Sequence, residues 1–286
     1  MRLARFGVPG AERPGLIVGE DIVDMSKVVN DYDRYFWTNG GSRRVAEAFE
    51  LDQGRLSRFR LDSVRLGPPV PLPEKLVCVG INYPGHAAES GSAAPKEPVL
   101  FMKAPNSIVG PFDDVLIPPN SSKTDWEVEL AVIIGAKARY LSDPSAALGV
   151  IAGYSISNDV SERTNQLERG GQWVKGKSAE TFNPLGPFVA TPDEIEDPDS
   201  LDLCLSVNNA VRQQSNTGEC MFSPTYLVWY ISQFMVLEPG DIINTGTPAG
   251  VGLGMNPPCY LNDGDIMELS ITGLGTQRQT CRQAIA

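Results

Sequence analysis

Residues 125–135 read DWEVELAVIIG. Side chains alternate faces along a β-strand, so Glu127 and Glu129 share one side, and Trp126, Val128 and Leu130 the other. The continuation, LAVIIGA, is apolar on both faces, as in a strand covered by protein on both sides. A solvated face on an amphipathic strand would by itself explain E-x-E. On a covered face, two like charges raise each other's pKa and cost free energy unless a cation sits between them. A divalent metal is the simplest resolution.

Similar strand signals flank this segment. KLVCVGINY (75–83) and PVLFMKA (98–104) precede it. DPSAALGVIAGYSISNDV (143–160) opens with the helix-start signal Asp143-Pro144 and then turns into a β-branched run, GYSISNDV. FNPLGPFVAT, LDLCLSVNN and DIMELSITGLG alternate as strands do. FSPTYLVWYISQFMVL (222–237) has apolar positions at helical spacing, and EPGD stops it. Upstream, RLARFG, PGLIVGE and DIVDMS suggest a small β unit, followed by a helix over RRVAEAFELDQGRLSRF. The stretch LGPPVPLPEK (66–75) holds four prolines and reads as a linker. The expected organisation is a small N-terminal domain over 1–70 and a larger one over 71–286. The fold class is α+β, with strands dominant.

The chain has 286 residues with 42% hydrophobic and 21% charged residues, ordinary for a globular protein with a sizeable core. A net charge of −11 argues against nucleic acid and anionic membrane as partners. Carboxylate-rich chains are also good hosts for hard cations. Five cysteines, with no CxxC, point to reduced thiols in a cytoplasm rather than disulfides or structural zinc. The start of the chain lacks a signal-peptide apolar run, and no apolar run approaches the roughly 20 residues that span a bilayer. There is one histidine, His86, which excludes sites built from several.

A metal at Glu127 and Glu129 needs another ligand. Asp159, at the end of GYSISND, is the best third carboxylate, although it could equally cap a helix over VSERTNQLE. Carboxylates with waters describe Mg²⁺ or Mn²⁺, not zinc. A short helix after Gly85 would bring Glu89, three residues on, near His86, making a general base; the alternative is a lone surface histidine. In WVKGKSAETFNPLGP, glycine between Lys175 and Lys177 suggests a tight bend. One lysine would neutralise a substrate carboxylate or enolate, and the other would be solvated. INTGTPAGVGLG (243–254) reads as a turn-rich loop without a P-loop lysine. A functional version would hold a carboxylate with backbone N–H groups and the Thr247 hydroxyl. No G-x-S-x-G elbow occurs, which argues against a Ser-His-Asp hydrolase.

Taken in order, VGINYPGHAAESG, EPVLFMKAP, KTDWEVELAVIIG, AGYSISNDVSER, QWVKGKSAETFNPLGP, LEPGDIINTGTPAGVG and GLGTQRQ resemble the fumarylacetoacetate hydrolase family, from about Lys75 to about Gln279. The resemblance implies a mixed β-sandwich roll, a small N-terminal β-rich domain as in bacterial members, and a homodimer. It implies that Glu127, Glu129 and Asp159 bind Mg²⁺ or Mn²⁺, that His86 and Glu89 activate water, and that Lys177 lies near the substrate carbonyl or carboxylate. Arg163, Gln166 and Thr247 match substrate-binding positions. Animal members carry a further metal-binding aspartate shortly before the histidine. GINYPG has none, and the pattern is closer to acylpyruvate-type hydrolases.

The implied activity is metal-dependent hydrolysis of the C–C bond of a 2,4-dioxo acid, a hydrolase acting on ketonic substances. The products are pyruvate and a second acid. The implied substrate is a small 2-oxo acid, and the QWVKGKS and GLGTQRQ forms resemble members associated with 2,4-dioxo-3-deoxy sugar acids such as the rhamnonate- or fuconate-derived compounds. Related members decarboxylate or isomerise oxo and hydroxy-diene diacids or resemble ureidoglycolate lyases. A non-catalytic carboxylate-binding protein is the reading from a different class.

Overall fold

The computed structural model describes residues 1–52 and 54–285. Among the described residues, twelve strands form one mixed sheet. Its main path runs Arg58–Arg60, Asp21–Asp24, Arg13–Val18, Arg2–Phe6, Asn183–Ala190, Ile151–Asn158, Val128–Ile134, Ile242–Asn244, Leu76–Gly80 and Val99–Lys103. Leu66–Gly67 pairs with Arg2–Phe6, and Ile108–Val109 with Asn183–Ala190. A second sheet has five strands, in the order Ala210–Asn216, Asp202–Val207, Ile266–Ile271, Gly275–Gln283 and Val115–Ile117. The architecture is strand-rich α+β, as the alternating segments predict.

The face choice along strand 128–134 follows the pleat. Val128, Leu130, Val132 and Ile134 join a core with Leu203, Leu205, Met267 and Leu269 of the five-stranded sheet. Ala131 and Ile133 point the other way, into a second core with Leu3, Leu16, Tyr32, Phe36 and Val45. The large sheet is therefore covered on both faces here, which is why LAVIIG is apolar throughout. The second core draws on residues from both sides of the proline-rich stretch, and strand 2–6 pairs antiparallel with strand 183–190.

Two helices differ from the expected spans. The first runs Gly41–Glu50, shorter than the 43–59 pattern. The chain then folds around Asp52, whose carboxylate accepts from Arg55 and Leu56 N–H, and Arg58–Arg60 becomes a strand. Gln53 of that pattern lies outside the described residues. The second runs Pro224–Ser232 inside the expected 222–237 segment. The Ser223 hydroxyl caps it by accepting from Tyr226 N–H at 3.3 Å, and Pro224 takes the first position, where no N–H is needed. No helix among the described residues is long and apolar enough to cross a membrane. All five cysteines are free.

Candidate functional site

Strand register assembles the acidic cluster. Val128 pairs with Asn158 in the antiparallel ladder, and Asp159 N–H donates to Glu127 O at 2.9 Å. The residues flanking that pair, Glu127, Glu129 and Asp159, each offer an oxygen within 4.8 Å of the others. All three are buried, at 4%, 1% and 0% exposure. Asp159 caps no helix. It leads into the short strand Ser161–Glu162, and a π-helix over Thr164–Glu168 follows.

Three buried cations surround the cluster. Lys177 Nζ lies 2.7 Å from Glu127 Oε2 and 3.1 Å from Asp159 Oδ2. Lys103 Nζ bonds Asp159 Oδ1, Val160 O (3.1 Å) and Phe182 O (2.6 Å). With three acceptors, its ammonium is saturated. Arg163 reaches Glu127 Oε1 at 2.8 Å, Gln166 Oε1 at 2.9 Å and Asp125 Oδ2 at 2.8 Å. By formal charge, four buried carboxylates (Asp125, Glu127, Glu129, Asp159) face three cations, leaving one negative unit.

That excess is felt at Glu129. Burial, then Asp159 and Glu127, push its carboxyl well above the ordinary range, against the opposing pull of Lys177 and the Gly246 N–H. Burial also raises Glu127, but Lys177, Arg163 and His86 outweigh it and hold that carboxyl below the usual range. The donor set is all oxygen, anionic and convergent, and it carries an uncompensated charge. These residues fit a hard divalent cation such as Mg²⁺ or Mn²⁺.

The short helix Pro84–Glu89 places His86 and Glu89 on one face. His86 Nδ1 lies 2.8 Å from Glu89 Oε1, and Glu89 Oε2 accepts from Gly250 N–H at 2.8 Å. An ionised glutamate can only accept, so Nδ1 carries a proton, and the neutral form of His86 keeps its lone pair on Nε2. His86 is no surface histidine, being 9% exposed. It lines a small cleft together with Glu127, Glu129, Arg163, Gln166, Lys177 and Thr247.

The glycine-rich segment 243–254 does hold carboxylates, but they are the protein's own. Gly246 N–H donates to Glu129 Oε2 at 2.7 Å, Gly250 to Glu89, and Gly252 and Leu253 to Asp125 at 2.7 and 3.0 Å. Gly246 has φ +100°, and a Cβ there would fall 2.7 Å from Asn82 Cβ, so glycine is required. The Thr247 hydroxyl donates to Val128 O and accepts from Gln213 Nε2.

Lys175 and Lys177 part company as expected. Lys175 is exposed and donates to Arg169 O, while Lys177 is 2% exposed. The tight bend is not there. Both lie in the helix Val174–Lys177, and Gly176 permits close packing, since a Cβ would meet Glu162 O at 2.4 Å. Asn82 occupies the GINYPG stretch and ties it down, donating to Thr245 O and Phe222 O and accepting from Phe222 N–H. Sequence reasoning missed Lys103 and Asp125. A lone lysine in the apolar segment PVLFMKA was the available signal for the first.

The family model for fumarylacetoacetate (FAA) hydrolase, C-terminal, matches residues 75–282. The 2,4-didehydro-3-deoxy-L-rhamnonate hydrolase of Sphingomonas sp. is 45% identical over 98% of this chain and 95% of its own. Fumarylacetoacetate hydrolase from Exiguobacterium antarcticum superposes with a TM-score of 0.84 at 37% identity, covering 99% of this chain and 100% of that one. Maleylpyruvate hydrolase from Sphingobium sp. SYK-6, solved with manganese(II) and pyruvate, superposes with a TM-score of 0.83 at 31% identity, covering 100% of both chains. In sequence and in fold alike, the chain belongs to the fumarylacetoacetate hydrolase family.

Proposed function

We propose that this chain is a divalent-metal-dependent hydrolase that cleaves the C–C bond of a 2,4-dioxo acid, giving pyruvate and a second carboxylic acid. The observation that carries the reading is a three-carboxylate cluster and a His–Glu dyad lining one small cleft. Glu127, Glu129 and Asp159 would hold Mg²⁺ or Mn²⁺, which when bound supplies Lewis acidity to the 2-oxo group. A divalent ion would turn the cluster's single negative unit into a positive one, suited to a carboxylate substrate.

The chain's own groups then divide the work. Lys177 lines the cleft with its three acceptors, Glu127 Oε2, Asp159 Oδ2 and Asp159 O, all on residues that would hold the metal; carboxylates turned to a metal would release an ammonium proton toward the substrate carboxylate or developing enolate. Arg163 takes Gln166 Oε1, which leaves the Gln166 amide hydrogens for the substrate. Thr247 contributes from the same wall. Glu89 holds His86 so that Nε2 takes a proton from water. The water oxygen bonds to the distal carbonyl carbon, the C3–C4 bond breaks, and its electron pair stays on the pyruvate fragment. The proton held on His86 completes that fragment's methyl group.

The relative named for 2,4-didehydro-3-deoxy-L-rhamnonate supports a sugar-acid-derived substrate. The same reading carries a homodimer, a cytoplasmic location consistent with free thiols, and an N-terminal unit over residues 1–70. The test is pyruvate release from a panel of 2,4-dioxo acids with Mg²⁺ and with EDTA. Release that EDTA stops supports the reading, and His86→Ala should lower it about 10²–10⁴-fold while Mn²⁺ binding persists. The dyad favours hydrolysis over decarboxylation, which needs no activated water. Absence of pyruvate with every substrate would favour an isomerase or decarboxylase using the same cluster.

A further inference from the structure

Six non-glycine residues among those described have positive φ, and three of them are asparagines, which tolerate that conformation. Of the rest, only Ile81 and Thr181 are β-branched. Thr181 has a use for its position, because its hydroxyl accepts from Leu116 N–H at 2.7 Å. Ile81, at φ +55°, has no polar group to do the same. A β-branched residue there is strained, and such strain persists only where the surroundings impose it.

The surroundings do so on both sides. Before Ile81, the Trp173 ring lies so close to Gly80 that a Cβ would fall 2.4 Å from it. After it, Asn82 is fixed by three hydrogen bonds to Phe222 and Thr245. Glycine would fit this turn without strain. The isoleucine side chain must therefore be useful where it is, and it is half-buried on the wall of the cleft with His86, Phe101 and Trp173.

We propose that Ile81 is a specificity-determining residue: its side chain, held at the cleft by a strained backbone, limits the size of the substrate's distal acyl group. The proposal rests on the hydrolase reading in placing that group beside the dyad. Ile81→Ala removes the bulk and keeps the strain, whereas Ile81→Gly removes both. In both variants, kcat/KM for benzoylpyruvate relative to acetylpyruvate should rise about tenfold or more. Ile81→Gly should melt about 2–4 °C above Ile81→Ala. A selectivity ratio within about twofold of wild type overturns the proposal, as does an Ala variant at least as stable as the Gly variant.

A second measurement needs no turnover. With Mn²⁺ present, the thermal shift given by phenylpyruvate relative to pyruvate should grow in both variants, and an unchanged ratio overturns the proposal. Failure of wild-type enzyme to release pyruvate from any substrate would count against the hydrolase reading alone, since the thermal-shift comparison still decides the role of Ile81.

Discussion

At one end of the strand pair Val128–Ile134 and Ile151–Asn158, Ala131, Val132, Ile133 and Ile134 sit in apolar surroundings with no exposed surface. At the other end, Glu127, Glu129 and Asp159 are buried almost as completely. The same antiparallel ladder runs through both. Burial stabilises the first end, because each apolar side chain leaves water for close-packed neighbours. It works against the second, where like charges share a dry space. The apolar end thus serves as the rigid support on which the unfavourable end is held in place.

The largest expected effect lies at the acidic end. Glu129→Gln keeps the shape and removes the charge, so pyruvate release with Mg²⁺ should fall by about 10³-fold. Isothermal titration with Mn²⁺ should show the matching loss of affinity. Near-normal activity in this variant would break the contrast between the ends.

Ile133→Ala tests the other end. It should lower stability by about 2–5 kcal/mol in denaturant titration, while activity per folded molecule stays the same. A variant that lost activity but not stability would show that the apolar end does chemistry as well.

A smaller effect sharpens the comparison. In EDTA, burial and its acidic neighbours hold the Glu129 carboxyl above its ordinary range. A carboxyl raised in the folded state contributes stability at low pH that is lost as pH rises through its folded pKa. The wild type in EDTA should therefore lose more Tm than Glu129→Gln as pH rises from about 5 to about 8. Mn²⁺ should erase the difference by restoring the wild type. Parallel curves in EDTA would mean that the cluster carries no net repulsion.

The smallest change is expected at Lys175→Ala, two residues from Lys177. Lys175 is exposed, and its one bond, to Arg169 O, faces solvent. Stability should move by less than about 0.5 kcal/mol and kcat should not move. A tenfold loss of kcat would mean that the two lysines had been assigned the wrong way round.

The alternation of E-x-E against LAVIIG made the covered strand legible, because side-chain facing depends only on the pleat. His86 and Glu89 were legible for a similar reason, being three residues apart on one short helix. Lys103 and Asp125 were not. Their partners lie far along the chain: Phe182 for Lys103, and Gly252 and Leu253 for Asp125. No local pattern encodes such a pairing. Ile81 was hidden for another reason. Its side chain reads as one more apolar residue in VCVGINY, and only the backbone angle sets it apart.

The glycine-rich segment holds Glu129, Glu89 and Asp125 through main-chain amides. Three of these four donors are glycines whose sites leave no room for a Cβ, so the bonds depend on the backbone path and on no side chain of the loop. Substitutions other than proline at the half-buried Ala249 or Leu253 would leave every one of those bonds in place. The acids of the reaction are thereby insulated from drift in the loop that aims them, leaving the cleft's walls free to be rewritten for a new substrate.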